Sequence, residues 1–176
     1  MSLGKRLFVC PDRKAFCMSC TKNLLLPELN SVFSKTAVRC VNDFLGKPAA
    51  IHENWCVVDR LVTHYDYILT MGGASQNFQS ILAIGVSKDF SEIFGVMDKS
   101  EFVDILGEFA NTYWALLMDD HVFTKHFGIL NQSIPVVYSN GTPFLPFISG
   151  VQGKVYIENE FIFLGYAIQK VINCSL

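Results

Sequence analysis

Residues 98–118 read Asp-Lys-Ser-Glu-Phe-Val-Asp-Ile-Leu-Gly-Glu-Phe-Ala-Asn-Thr-Tyr-Trp-Ala-Leu-Leu-Met, and the period of this stretch decides the fold. At 3.6 residues per turn Phe102, Leu106, Phe109, Tyr113 and Leu117 fall on one side, which predicts a continuous helix over 99–118 with that side against a core. Asp98 followed three residues later by Glu101 supplies a capping-box start. Opposite the apolar side lie Asp104, Glu108, Asn111 and Ala115, so an acid and an amide stand one turn apart and point the same way, into solvent or a partner. Gly107 sits beside that stripe, inside a helix where glycine costs about 1 kcal/mol relative to alanine.

Outward from this helix the chain organises itself. Val32, Phe33, Ala37, Cys40, Val41 and Phe44 recur at helical spacing and predict a first helix over 30–44, stopped by Gly46 and Pro48. Apolar and β-branched runs at 61–71 and 78–86, separated by Gly72-Gly73-Ala74-Ser75-Gln76-Asn77, predict a hairpin, and 87–94 a short helix. Strands are predicted at 134–139, before an Asn140-Gly141 turn, and then near 154–157 and 161–168 across Glu158-Asn159-Glu160. The order suggests two similar halves, each a helix followed by antiparallel strands. The expected class is α+β, with a mainly antiparallel sheet and two long helices packed on it.

The 176 residues are 51% apolar and 13% aromatic, enough for one domain with a substantial core and too few for two ordinary ones. Residues 1–23 read as an N-terminal extension and 24–176 as that domain. Mean hydropathy is positive, yet every apolar run is broken well before the eighteen or so residues a span requires, so no membrane association is expected. The apolar stretch after Lys5 and Arg6 is too short for a signal peptide, which makes a cytoplasmic location the expectation. A net charge of −2 with scattered signs gives no positive field for nucleic acid.

Here the residues reach a family resemblance. Leu106-Gly107-Glu108-Phe109-Ala110-Asn111 resembles the Glu-x-x-Asn helix of the CheC, CheX and FliY chemotaxis phosphatases. Val41-Asn42-Asp43-Phe44-Leu45-Gly46, the glycine-bearing hairpin through Met71-Gly72-Gly73, and Ile134-Pro135-Val136-Val137 resemble its neighbours in that family over about residues 30–168. The single-site pattern is closer to CheX than to the two-site members. The resemblance implies hydrolysis of phosphoaspartate on a CheY-like response regulator, with Glu108 and Asn111 as the catalytic pair. Glu108 would pair with the receiver's lysine and Asn111 would orient the attacking water. Asp104, Gly107, Thr112 and Ala115 would form the docking surface around them, although Asp104 and Thr112 also read as ordinary surface residues. The chain itself would bind no cofactor, the Mg2+ coming from the receiver. CheX relatives dimerise, so a homodimer is implied. Tyr113 and Trp114 depart from the small residues usual after the asparagine: Tyr113 faces the core, while Trp114 falls on the flank, where it would alter docking.

Two other readings stand beside this one. The runner-up is a non-catalytic module that uses the same helix to bind a receiver or another signalling protein, since Glu-x-x-Asn alone occurs by chance on many solvated helix faces. Cys10, Cys17 and Cys20 could supply three thiolates of an N-terminal metal appendage, but no second Cys-x-x-Cys completes a zinc site, so no metal is expected and all six cysteines are read as reduced thiols. Cys40, Cys56 and Cys174 read as small core or surface residues. His121 and His126 read as loop or cap residues, and His52 and His64 lie by no nucleophile that would make a catalytic set.

Overall fold

A computed structural model describes residues 27–51, 55–58, 61, 64–139 and 150–171. The expected extension, its three cysteines, Cys174, His52 and the Asn140-Gly141 turn lie outside the described residues. In chain order the elements are α1 (Pro27–Leu45), β1 (Ala49–Ile51), β2 (Cys56–Val58), β3 (Tyr67–Ala74), β4 (Phe78–Val86), α2 (Phe90–Phe94), α3 (Lys99–Asp119), α4 (His121–Phe127), β5 (Asn131–Gln132), β6 (Val136–Ser139), β7 (Gly150–Ile157) and β8 (Glu160–Lys170). The expected α+β class is the one observed.

The strands form one antiparallel sheet in the order β1-β7-β8-β4-β3-β5, with β2 also on β7 and β6 also on β3. Two hairpins, β3–β4 and β7–β8, meet at the central pair, where Leu82 lies opposite Tyr166. Each half runs helix, short edge strands, hairpin: α1, β1 and β2, β3–β4, then α3, β5 and β6, β7–β8. The edge strands of each half pair with the other half's hairpin. The duplicated layout is therefore interleaved, and neither half has a complete sheet alone.

The helices form because their apolar positions recur at 3.6, and they close because their ends are provided for. Gly46 ends α1 at φ 62°, donating its N–H to the Asn42 carbonyl at 3.0 Å, and the Asn42 side chain accepts from the Ala49 amide at 2.8 Å. Inward from α1 come Leu29, Phe33, Ala37, Cys40 and Val41, and from α3 Phe102, Leu106, Phe109, Tyr113, Trp114 and Leu117, all buried. Each large side chain so buried contributes roughly 1.5–3 kcal/mol. The Tyr113 hydroxyl donates to the Phe33 carbonyl at 3.2 Å, joining the two long helices. Phe44 meets Phe109 edge-on with ring centres 5.6 Å apart, a favoured aromatic geometry.

The structure corrects the expected hairpin. Its first strand begins at Tyr67, and Gly72 and Gly73 lie inside the strand, leaving the turn to residues 75–77. A Cβ on Gly73 would come within 2.0 Å of the Trp114 ring. Glycine here is a seat for an indole, which is the usual meaning of glycine within a strand when another group approaches closely. The strand expected at 134–139 starts after Pro135, and the one expected at 154 begins four residues earlier, at Gly150. His121 and His126 lie on the short helix α4.

Gly73→Ala is expected to destabilise the fold by about 1–3 kcal/mol, because the indole above it is buried on all sides and cannot retreat freely. Denaturant unfolding checks this, and an unchanged midpoint would mean that Trp114 is not held there.

Candidate functional site

The polar constellation singled out by the sequence lies on α3. Asp98 precedes it in extended conformation and its carboxylate accepts from the Ser100 amide at 2.8 Å, from the Glu101 amide at 3.2 Å, and from the Ser100 hydroxyl. These bonds, the Ser100 side chain first, hold the Asp98 carboxyl below its usual range. The capping-box sequence thus starts the helix as expected, with the aspartate as N-cap.

The inner and outer faces of α3 fall where its period placed them. Phe102, Leu106, Phe109 and Tyr113 are buried, while Asp104, Glu108 and Ala115 are exposed. Glu108 and Asn111 are one turn apart, a spacing that brings Cβ atoms to about 5–6 Å. Asn111 differs from expectation in being half-buried, and its Oδ1 is fully buried with no hydrogen-bond partner among the described residues. Gly107 and Thr112 are also half-buried. The Thr112 hydroxyl donates to the Glu108 carbonyl at 2.9 Å, so it is engaged with its own helix.

Trp114 is the clear correction. It is buried at 2% exposure, with its ring tip on Gly73 and its ring centre 6.1 Å from that of Tyr166. The bulky residue read as a flank obstacle is therefore removed from the outer face by the glycine beneath it. The signal was in the sequence, as Gly73 within an apolar run, but it was read as a turn. Behind the site, Cys40 lies beneath α3 with its Sγ 3.9 Å from the Phe109 carbonyl, and burial followed by the nearby Asp43 charge pushes the thiol up to about 12. It stays a neutral thiol and belongs to the packing. Cys56 is exposed. Among the described residues no group of three or more His, Cys, Asp or Glu side chains is placed to hold a metal, and no helix is long and apolar enough to cross a membrane.

An exposed acid and a partly sunken amide on one outward helix face can do two things chemically: pair with a cation on a partner, and hydrogen-bond a water or phosphoryl oxygen.

No protein-family model matches the chain, and no curated protein matches it. Solved structures do. CheX from Desulfovibrio desulfuricans superposes with a TM-score of 0.66 at 11% identity, over 81% of this chain and 99% of that one. CheX from Vibrio vulnificus gives 0.64 at 11% identity, over 81% and 99%. CheX in the CheX-CheY-BeF3-Mg complex from Borrelia burgdorferi gives 0.50 at 10% identity, over 79% and 96%. The interleaved sheet with two long helices on it is thus the fold of CheX and CheC-like chemotaxis proteins.

Asp98→Ala is expected to lower the melting temperature at neutral pH. Because the folded-state carboxyl titrates below its ordinary value, its stabilising effect is complete above the unfolded value near about 4 and is lost as pH falls through the folded one. Thermal unfolding of both proteins from pH 7 downward should show the difference shrinking in acid, and a difference independent of pH would exclude the charged cap.

Proposed function

We propose that the chain is a phosphatase for a phosphorylated CheY-like receiver domain, working through Glu108 and Asn111. The observation that carries this reading is the pair itself, an exposed acid and an amide one turn apart on the outer face of the long helix of a CheX fold. That a CheX of the same fold has been crystallised with CheY, BeF3 and Mg2+ supports the partner class.

In this reading Glu108 pairs with the receiver's active-site lysine, and the neighbouring exposed Asp104 adds negative potential on the same side. The Asn111 carboxamide enters beside the phosphoryl group. There the carboxamide hydrogen-bonds a water and aligns it for in-line attack on phosphorus, and the receiver's aspartate carboxylate leaves. Catalysis is placement and charge stabilisation, so an amide suffices and no covalent enzyme intermediate forms. Mg2+ arrives with the receiver. Ala115 keeps the surrounding surface low, and Thr112 borders the pair while bracing the turn that carries Glu108. The homodimer and the cytoplasmic location implied by the resemblance belong to the same proposal.

Asn111→Ala is expected to leave receiver affinity nearly unchanged and to abolish most of the acceleration of phosphate loss, since its interaction matters chiefly in the transition state. Glu108→Ala is expected to weaken binding itself, by about 1–3 kcal/mol for a desolvated charged hydrogen bond. Receiver affinity and dephosphorylation rate measured on both variants test this. Binding without acceleration by the wild type would make the chain an adaptor, and equal rates for wild type and Asn111→Ala would exclude the mechanism.

A further inference from the structure

Gly107 occupies the middle of α3, where glycine lowers helix stability relative to alanine. Two ordinary reasons for a glycine are missing. Its φ is not positive, unlike Gly46, Gly95 and Gly128, so the backbone does not require it. A Cβ built on it would meet no heavy atom within 4 Å, whereas one on Gly73, Gly85 or Gly153 would run into an aromatic ring. Neither conformation nor packing within the described residues excludes a side chain. The position lies one turn before Asn111, whose buried oxygen lacks a partner. The bare backbone thus lies one turn before a half-buried amide, on the same flank of the helix.

We infer that Gly107 is the point of closest approach to the receiver, whose main chain packs directly on the bare α3 backbone and so brings the phosphoryl group within reach of Asn111. This rests on the receiver reading above and adds a specificity-determining residue to it. A methyl group at 107 holds the receiver off, by a distance comparable to the misplacement that costs such reactions most of their rate. Glycine is retained against helix stability because the interface needs the space.

The inference separates stability from binding, so one pair of variants tests it. Gly107→Ala and Gly107→Leu are prepared beside the wild type, and each is measured for thermal unfolding and for affinity toward a panel of CheY-type receivers loaded with beryllofluoride and Mg2+. Gly107→Ala should melt about 2–4 °C higher than wild type, as the gain in helix propensity requires for a chain of this size. It should bind the receiver at least tenfold more weakly, and Gly107→Leu more weakly still while remaining folded. Wild-type affinity in both variants would overturn the inference and leave the phosphatase reading standing. A lower melting temperature for Gly107→Ala would also overturn it, by showing that the fold needs the glycine. Failure of the wild type to bind any receiver would overturn both.

Discussion

The seat of Trp114 on Gly73 sets the rotation of α3 about its own axis, and that rotation decides which residues face outward. An indole packed between helix and sheet needs room, and the buried Gly73 of β3 leaves it. With Trp114 inward, Phe102, Leu106, Phe109 and Tyr113 follow it into the core. Asp104, Glu108 and Ala115 are then turned out together, and Asn111 is brought to the boundary between the two faces. The Tyr113 hydroxyl on the Phe33 carbonyl fixes the same rotation from the side of α1. The outer face is a consequence of the inner one.

This division also explains what could be read from the sequence. The two long helices were legible because period and caps are local properties: Asp98, Gly46 and the 3.6-residue spacing each act within a few residues. The long strands were legible as apolar runs. Edge strands of two or three residues, such as β1, β2 and β5, were not, because they exist only through pairing with the other half's hairpin. Gly72-Gly73 was misread for the same reason, since what distinguishes a turn from an indole seat is Trp114, far along the chain. Glu108 was legible from phase alone. The half-burial of Asn111 was not, because it depends on neighbours that phase does not specify.

Sharing a fold at about 11% identity leaves the chemistry to the site. What the site offers is economical: the exposed Glu108 carboxylate with Asp104 on the same side, one half-buried amide, and a stretch of helix without bulk. Cys40 behind it is a neutral thiol within the packing, and Thr112 is engaged with its own helix. The described residues around α3 thus hold the pair in position rather than adding reactive groups to it. In the proposed function, docking completes a centre whose metal and phosphoryl group both belong to the receiver.

The central claim is that the outward face of α3 is where the receiver sits, and the most direct measurement is amide chemical-shift mapping of the isotope-labelled chain titrated with a beryllofluoride-loaded receiver. The account predicts the largest shifts over residues 104–115, with the Asn111 side-chain amide among them. Shifts confined to the edge strands β1 and β6, with α3 unmoved, would contradict it.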